Sequence, residues 1–174
     1  MMPNMKRTPA VIVAVLTVLL AGCGGSTPST TTPTATPVTT TAAAASPAQS
    51  PASVIAKFQA AHLPVVPTIT YTAESDPNHL LGRPGKYSAK ESWTDTRVDP
   101  SQVRDHMAGN VDLGGSVEQF STAADAQARM EYITSVEKAL PFAEYDYVAG
   151  SALVRVSSAL TPDQAKAYQA ALGL

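Results

Sequence analysis

Two groups of side chains in this chain have the types and spacing for binding chemistry. The first lies in DPNHLLGRPGKY, residues 76–87, where Asp76, Asn78, His79, Arg83 and Lys86 share one short segment that Tyr87 closes. A loop this rich in polar groups can clasp a small anion or a carboxylate, with Arg83 as the planar fork and the glycine amides beside it. The same residues also suit a purely structural part: Asp76 and Asn78 capping a turn of helix, Pro77 at its first position, Gly82 at its exit, Pro84-Gly85 making a tight turn and Arg83 pairing with Asp95 or another acid. The second group is Asp95 with Arg97, two apart on a predicted strand and therefore on one face with Glu91 and Trp93. Exposed, they would offer an acid, a base and an aromatic ring to a peptide or a glycan. Buried, Trp93 would be core and the charges would solvate the sheet.

Catalytic constellations are not evident. His62, His79 and His106 lie in separate segments without the i,i+4 spacing of a zinc helix. There is no Gly-x-Ser-x-Gly elbow and no phosphate loop, and Glu144 and Asp146 flank Tyr145 on one strand with nothing to oppose them across a sugar. No metal or cofactor is implied, and the pattern reads as a binding domain rather than an enzyme.

One residue has a different chemistry. Lys6 and Arg7 precede an apolar run, residues 11–20, which ends in Leu20-Ala21-Gly22-Cys23. A charged start followed by a short apolar stretch and small residues is the layout of an export signal. The run is shorter than the about 20 apolar residues that span a bilayer. Small residues before Cys23 admit the chain to a peptidase in extended form and present a thiol for acylation. The tetrapeptide resembles the lipobox of bacterial lipoproteins. That resemblance implies that residues 1–22 are removed and that Cys23 carries diacylglycerol and a further acyl chain such as palmitate. Two or more chains anchor stably where one does not. Cys23 is also the only cysteine, so an acylated chain has no thiol for a disulfide, a metal site or a nucleophile. Loss of Lys6 and Arg7 leaves ten basic against fourteen acidic residues, a formal charge of −4. A nucleic-acid partner would need a basic face instead, and anionic headgroups would repel such a chain, so the lipid must hold it to the membrane.

The elements that must position the binding residues come after a tether. Residues 23–51 contain no charged and no aromatic residue and are mostly Thr, Ser, Pro, Ala and Gly, which predicts a disordered spacer. It would span ~30 Å as a coil and ~85 Å fully extended. Its Thr runs suit O-linked sugars as well as plain spacing. Residues 52–174 hold every Trp, Tyr and Phe and are long enough for one domain. A helix capped by Ser53 and ending before Pro64 is predicted first, then an extended or edge segment over 63–72 limited by Pro64 and Pro67. Strands follow over 87–98 and 116–120, then a helix over 122–139 with Ala126, Met130, Ile133 and Val136 on one stripe. After Pro141, Tyr145 and Tyr147 open a hairpin whose return carries Ala152, Val154 and Val156 inward. Thr161-Pro162-Asp163-Gln164 starts the last helix with a capping box. The predicted fold is α+β: a four-stranded, mainly antiparallel sheet with helices on one face.

Asp76-Pro77-Asn78, Leu80-Leu81-Gly82-Arg83-Pro84-Gly85, Tyr87, Asp95 with Arg97, Gly114-Gly115-Ser116-Val117-Glu118, Ala126 with Arg129 and Tyr132, and Leu160-Thr161-Pro162 with Gln164-Ala165 and Tyr168 together are similar to a group of small Gram-positive, actinobacterial-type surface lipoproteins. The resemblance covers about 100 residues and implies an address on the outer face of the cell membrane, but no biochemical activity. The sequence therefore points to an exported, lipid-anchored binding module for a protein, peptide or glycan of the envelope. Asp76, Asn78, Arg83, Tyr87, Asp95 and Arg97 are its candidate contacts. The alternatives are an accessory envelope protein acting through a protein partner and, further off, a hydrolase. Cys23→Ala is expected to release the protein from the membrane fraction; its retention there would show that the apolar run is the anchor.

Overall fold

The computed structural model describes residues 49–138 and 143–174. The lipobox-like tetrapeptide with Cys23, the tether up to residue 48, the last residue of the predicted helix 122–139 and Pro141 lie outside the described residues. Helix α1 spans Pro51–Ala60; the Ser50 hydroxyl accepts from the Ser53 amide, so the cap falls three residues before the predicted one. Strand β1, Val65–Thr70, and strand β2, Ala89–Asp95, follow. Strand β3 is Gly114–Gln119, and helix α2, Ala123–Glu137, is capped by Thr122. Strands β4, Tyr145–Ala149, and β5, Ala152–Val156, form the predicted hairpin around Gly150. Helix α3, Pro162–Leu172, opens on the predicted capping box of Thr161 and Gln164.

The strands form one antiparallel sheet in the order β1-β2-β3-β5-β4, so the fold is α+β. Two predicted details are corrected. The sheet has five strands rather than four, because the segment limited by Pro64 and Pro67 pairs with β2 as β1. Pro67 is tolerated there because β1 is an edge, where a missing N–H breaks no inner ladder, and the register shifts between Pro67 and Ile69.

The helices also cover both faces of the sheet rather than one. Leu153 and Val154 are successive residues of β5 and point to opposite faces. Val154 packs in a core with Val54, Ile55 and Phe58 of α1 and Ala165 and Tyr168 of α3. Leu153 packs in a second core with Ala126 and Ile133 of α2, Phe120 and Tyr87. Val117 and Phe120 fall to opposite faces for the same reason, one in each core.

The first core is built around three rings. Phe58 meets Trp93 at 5.3 Å between centroids and Tyr168 edge-on at 4.9 Å. Trp93 is fully buried. Rings of this kind bury roughly 150–250 Å² each, which at ~25 cal/mol per Å² contributes about 4–6 kcal/mol apiece. Room for Trp93 comes from Gly115, its partner on β3. A Cβ at Gly115 would strike the Trp93 ring and the Arg155 carbonyl. Central strand β3 is buried along its whole length, and this makes the polar residues on it informative.

Candidate functional site

The loop 76–87 is wound around one buried carboxylate. Asp76 is wholly buried and its oxygens accept from five donors: the Tyr87 hydroxyl at 2.6 Å, the Leu80 amide at 2.9 Å, the Leu81 amide at 3.1 Å, the Lys90 ammonium at 3.3 Å and the Asn78 amide at 3.4 Å. Burial opposes ionisation of Asp76, but these donors together overcome it and hold the carboxyl at about 2. Tyr87, pushed up by burial and by its bond to Asp76, keeps its proton and also accepts from the Asn78 side chain at 3.2 Å. The Gly82 amide closes the loop onto the Tyr87 carbonyl, and the Lys86 amide donates to the Arg83 carbonyl across Pro84-Gly85, with Gly85 at φ 68°. That is the predicted tight turn, with glycine where positive φ is needed. No turn of helix forms between Asp76 and Gly82; the Asp76 side chain organises successive hydrogen-bonded turns instead.

Lys90 was not legible as a partner. It stands on β2 between the Tyr71 and Tyr87 rings, 4.6 Å and 5.6 Å from their centroids, with only 4% of its surface exposed. Burial pushes its ammonium down, and Glu118 and Asp76 oppose that shift. Ionisable residues are placed on the surface by default. The sequence signal available was its position three residues after Tyr87, on the strand face opposite Trp93.

Asp95 and Arg97 form a second, separate network. The strand ends at Asp95, and Arg97 turns back so that its backbone amide and guanidinium both donate to the Asp95 carboxylate, the closest contact being 2.6 Å. The Tyr168 hydroxyl donates to Asp95 at 2.6 Å and accepts from the Trp93 indole at 3.2 Å. Burial again opposes ionisation of Asp95, and Arg97 and Tyr168 together outweigh it and depress the carboxyl. This network ties α3 to β2 on the face of Trp93, whereas Asp76 and Lys90 lie on the other face. The six candidate residues therefore do not converge. Asp76, Asn78 and Tyr87 meet, Asp95 and Arg97 meet elsewhere, and Arg83 is exposed with no side-chain partner among the described residues.

What the loop does form is one wall of a cleft of about 720 Å³. Asn78, Leu80, Gly85 and Lys86 line it on the loop side. Opposite them, α2 contributes Arg129, Tyr132, Ile133 and Val136 between Asp125 and Glu137, a run of about 18 Å. Phe120 and Arg155 lie in the floor. Tyr132 is 61% exposed and Val136 51%, although Val136 belongs to the helix stripe that Ala126 and Ile133 bury.

Beneath the cleft runs a chain of charges. Glu118, wholly buried and opposite Lys90 in the ladder, accepts from Arg129 at 3.0 Å and lies 3.5 Å from Arg155. Arg155 makes a bidentate pair with Glu144 at 2.8 and 2.7 Å. Asp146, opposite Arg155 on β4, has a buried Oδ1 without a hydrogen-bond partner among the described residues, and burial with the nearby Glu144 pushes its carboxyl up to about 7. Among the described residues no group of three or more His, Cys, Asp or Glu is arranged to hold a metal ion, and no helix is long and apolar enough to cross a membrane.

No protein-family model, curated protein or solved structure matches this chain, so the reading of the cleft stands on geometry. Asp76→Asn is expected to cost about 3–5 kcal/mol in chemical denaturation, because the buried Lys90 ammonium would lose the carboxylate it is paired with and keep only the attraction of Glu118. Adding Lys90→Met should recover much of that loss. The folded carboxyl at about 2 lies below the ~3.9 of an unfolded aspartate. Its contribution is therefore full above about pH 5, is lost as pH falls from about 4 towards 2, and should vanish from the acid limb in the variant. A change within about 0.5 kcal/mol would contradict the central place given to Asp76.

Proposed function

We propose that this chain is an exported binding module, held on the outer face of the cell membrane through Cys23, whose ligand site is the cleft between loop 76–87 and α2. The observation that carries the reading is the cleft itself. Its volume is within the roughly 300–1,000 Å³ of small-ligand sites, and it joins apolar side chains from both walls to a few placed polar groups. Tyr132 and Val136 leave apolar surface open where α2 faces the loop. A loop fixed by five donors to a buried carboxylate supplies a wall that need not be ordered on binding, which lowers the cost of association.

Within this reading the candidate contacts divide by position. Asn78 faces the cleft, while Asp76 and Tyr87 position the wall behind it. Asp95 and Arg97 serve the opposite face of the sheet and hold α3.

The test is to fill the cleft from an exposed position. Ala128 lies on the lining face of α2 and is exposed, so Ala128→Trp should change stability by no more than about 0.5 kcal/mol. A small-molecule fraction of the cell envelope should shift the amide resonances of loop 76–87 and α2 in the parent protein and leave Ala128→Trp unmoved. Shifts that persist in the variant, or that fall on α1 and α3, would refute the cleft as the site.

A further inference from the structure

Lys86, Arg129 and Arg155 line the cleft against Asp125 and Glu137, and these side chains differ in how far their bonding is already taken up. A guanidinium holds its N–H groups in a planar fork with two edges, and each edge can grip a carboxylate. Arg129 gives one edge to the buried Glu118, with Nε at 3.0 Å and Nη2 at 3.5 Å, while its Nη1 has no hydrogen-bond partner among the described residues. The second edge of Arg129, Nη1 with the remaining Nη2 proton, is therefore open. The same guanidinium lies over the Tyr132 ring, 5.6 Å from its centroid, so a buried carboxylate and a ring fix it in advance of any ligand. Arg155, in the floor, gives its corresponding edge to Glu144 and has Nη1 3.5 Å from Glu118. On the facing wall Lys86 is exposed and makes no salt bridge among the described residues. The two lining acids are placed otherwise. Asp125 accepts from the Thr122 hydroxyl at 2.6 Å at the start of α2. Glu137 lies about 12 Å along α2 from Arg129. Glu118 and Glu144 do not line the cleft and are already engaged by the arginines.

The lining thus carries N–H groups without acceptors beside an apolar surface made by Phe120, Ile133 and the half-exposed Val136. Ile133 and Val136 follow Arg129 by one and two turns on its own side of the helix, and the farther lies about 10 Å along the axis. We infer that the cleft takes a small amphiphilic carboxylate, with its head in the open edge of Arg129, Lys86 on the facing wall, and its apolar body over Phe120, Ile133 and Val136. The inference rests on reading the cleft as a ligand site. A carboxylate brings acceptors only, two oxygens in one plane, and so matches a fork that has N–H groups to give. An ammonium would bring more donors to that place and set its charge against Arg129 and Lys86. A single negative charge also balances the lining, where three bases stand against two acids. A wholly apolar ligand would cover the open N–H groups and offer nothing in place of water.

The experiment titrates three probes of one chain length, hexanoate, hexylammonium and hexanol, into the lipidated protein in neutral detergent and follows the amide shifts of α2 and loop 76–87. At about pH 7 both charged probes are ionised. Hexanoate should bind about tenfold or more tightly than hexylammonium, since hydrogen bonds to a charged group are worth at least that factor. Arg129→Lys keeps a cation for Glu118 but has no second edge, and should lower hexanoate affinity about tenfold while leaving hexanol unchanged. Lys86→Gln changes an exposed side chain, so it keeps the fold, and should lower hexanoate affinity about two- to fivefold. If Arg129→Lys does not fold, Lys86→Gln and the order of the probes decide. Equal binding of all three probes, a preference for hexylammonium, or unchanged hexanoate affinity in the folded variants would overturn the carboxylate assignment while leaving the cleft as a site. If none of the three shifts these resonances, the cleft reading falls with it.

Discussion

A carboxylate cut off from water has to be surrounded by donors, and Asp76 meets that demand by shaping everything near it. Two successive amides, a tyrosine hydroxyl and a buried ammonium can reach one side chain only if the loop turns tightly, Tyr87 enters the core and Lys90 points from β2 into the same face. Each partner is then committed in its turn. Tyr87 packs edge-on against Phe120 at 5.9 Å between centroids, and Lys90 stands opposite Glu118. Through Glu118 the charges run on to Arg129 on α2 and to Arg155 and Glu144. Removing one member of a buried pair costs about 3–5 kcal/mol, against 0–1 for an exposed one. The loop is therefore set by the interior rather than by solvent.

The alternation of β-strand side chains separates this polar system from the aromatic core. On one face Phe58, Trp93 and Tyr168 pack together and Asp95 fastens Tyr168 and Arg97. On the other, charged groups of β2, β3 and β5 form a row that α2 covers only in part, and the cleft opens where the cover ends. Two buried carboxylates thus do similar work for different ends: Asp95 locks α3 onto the sheet, and Asp76 builds a wall beside α2. A binding surface between a fixed loop and a helix follows from that division.

Much of the local structure was legible because local chemistry decides it. The capping box at Thr161 and Gln164, the turn at Pro84-Gly85 and the hairpin around Gly150 each need only neighbouring residues. Trp93 was open to a core reading for its size alone. The fifth strand was obscured by Pro64 and Pro67, since only the sheet order shows that β1 is an edge. The covering of both faces was hidden because Leu153 and Val154 are both apolar, and the stripe on α2 says that the helix packs without saying on which face. Asp95 and Arg97 were expected two apart on a strand, but the strand stops at Asp95 and the salt bridge forms within the turn. Lys90 and Glu118 were missed because burial of a charge depends on partners that are distant in sequence.

The wall of the cleft is fixed only if the amides bound to Asp76 are part of the cooperative fold and not of a mobile loop. Native-state hydrogen exchange at Leu80 and Leu81 measures this directly, since both amides donate to Asp76 Oδ2 from a segment outside any helix or strand. Protection close to that of the β3 amides is predicted, because releasing either amide would take a donor from a buried carboxylate that no water replaces. Exchange at the rate of an open surface loop would contradict the account and leave the cleft without a fixed wall.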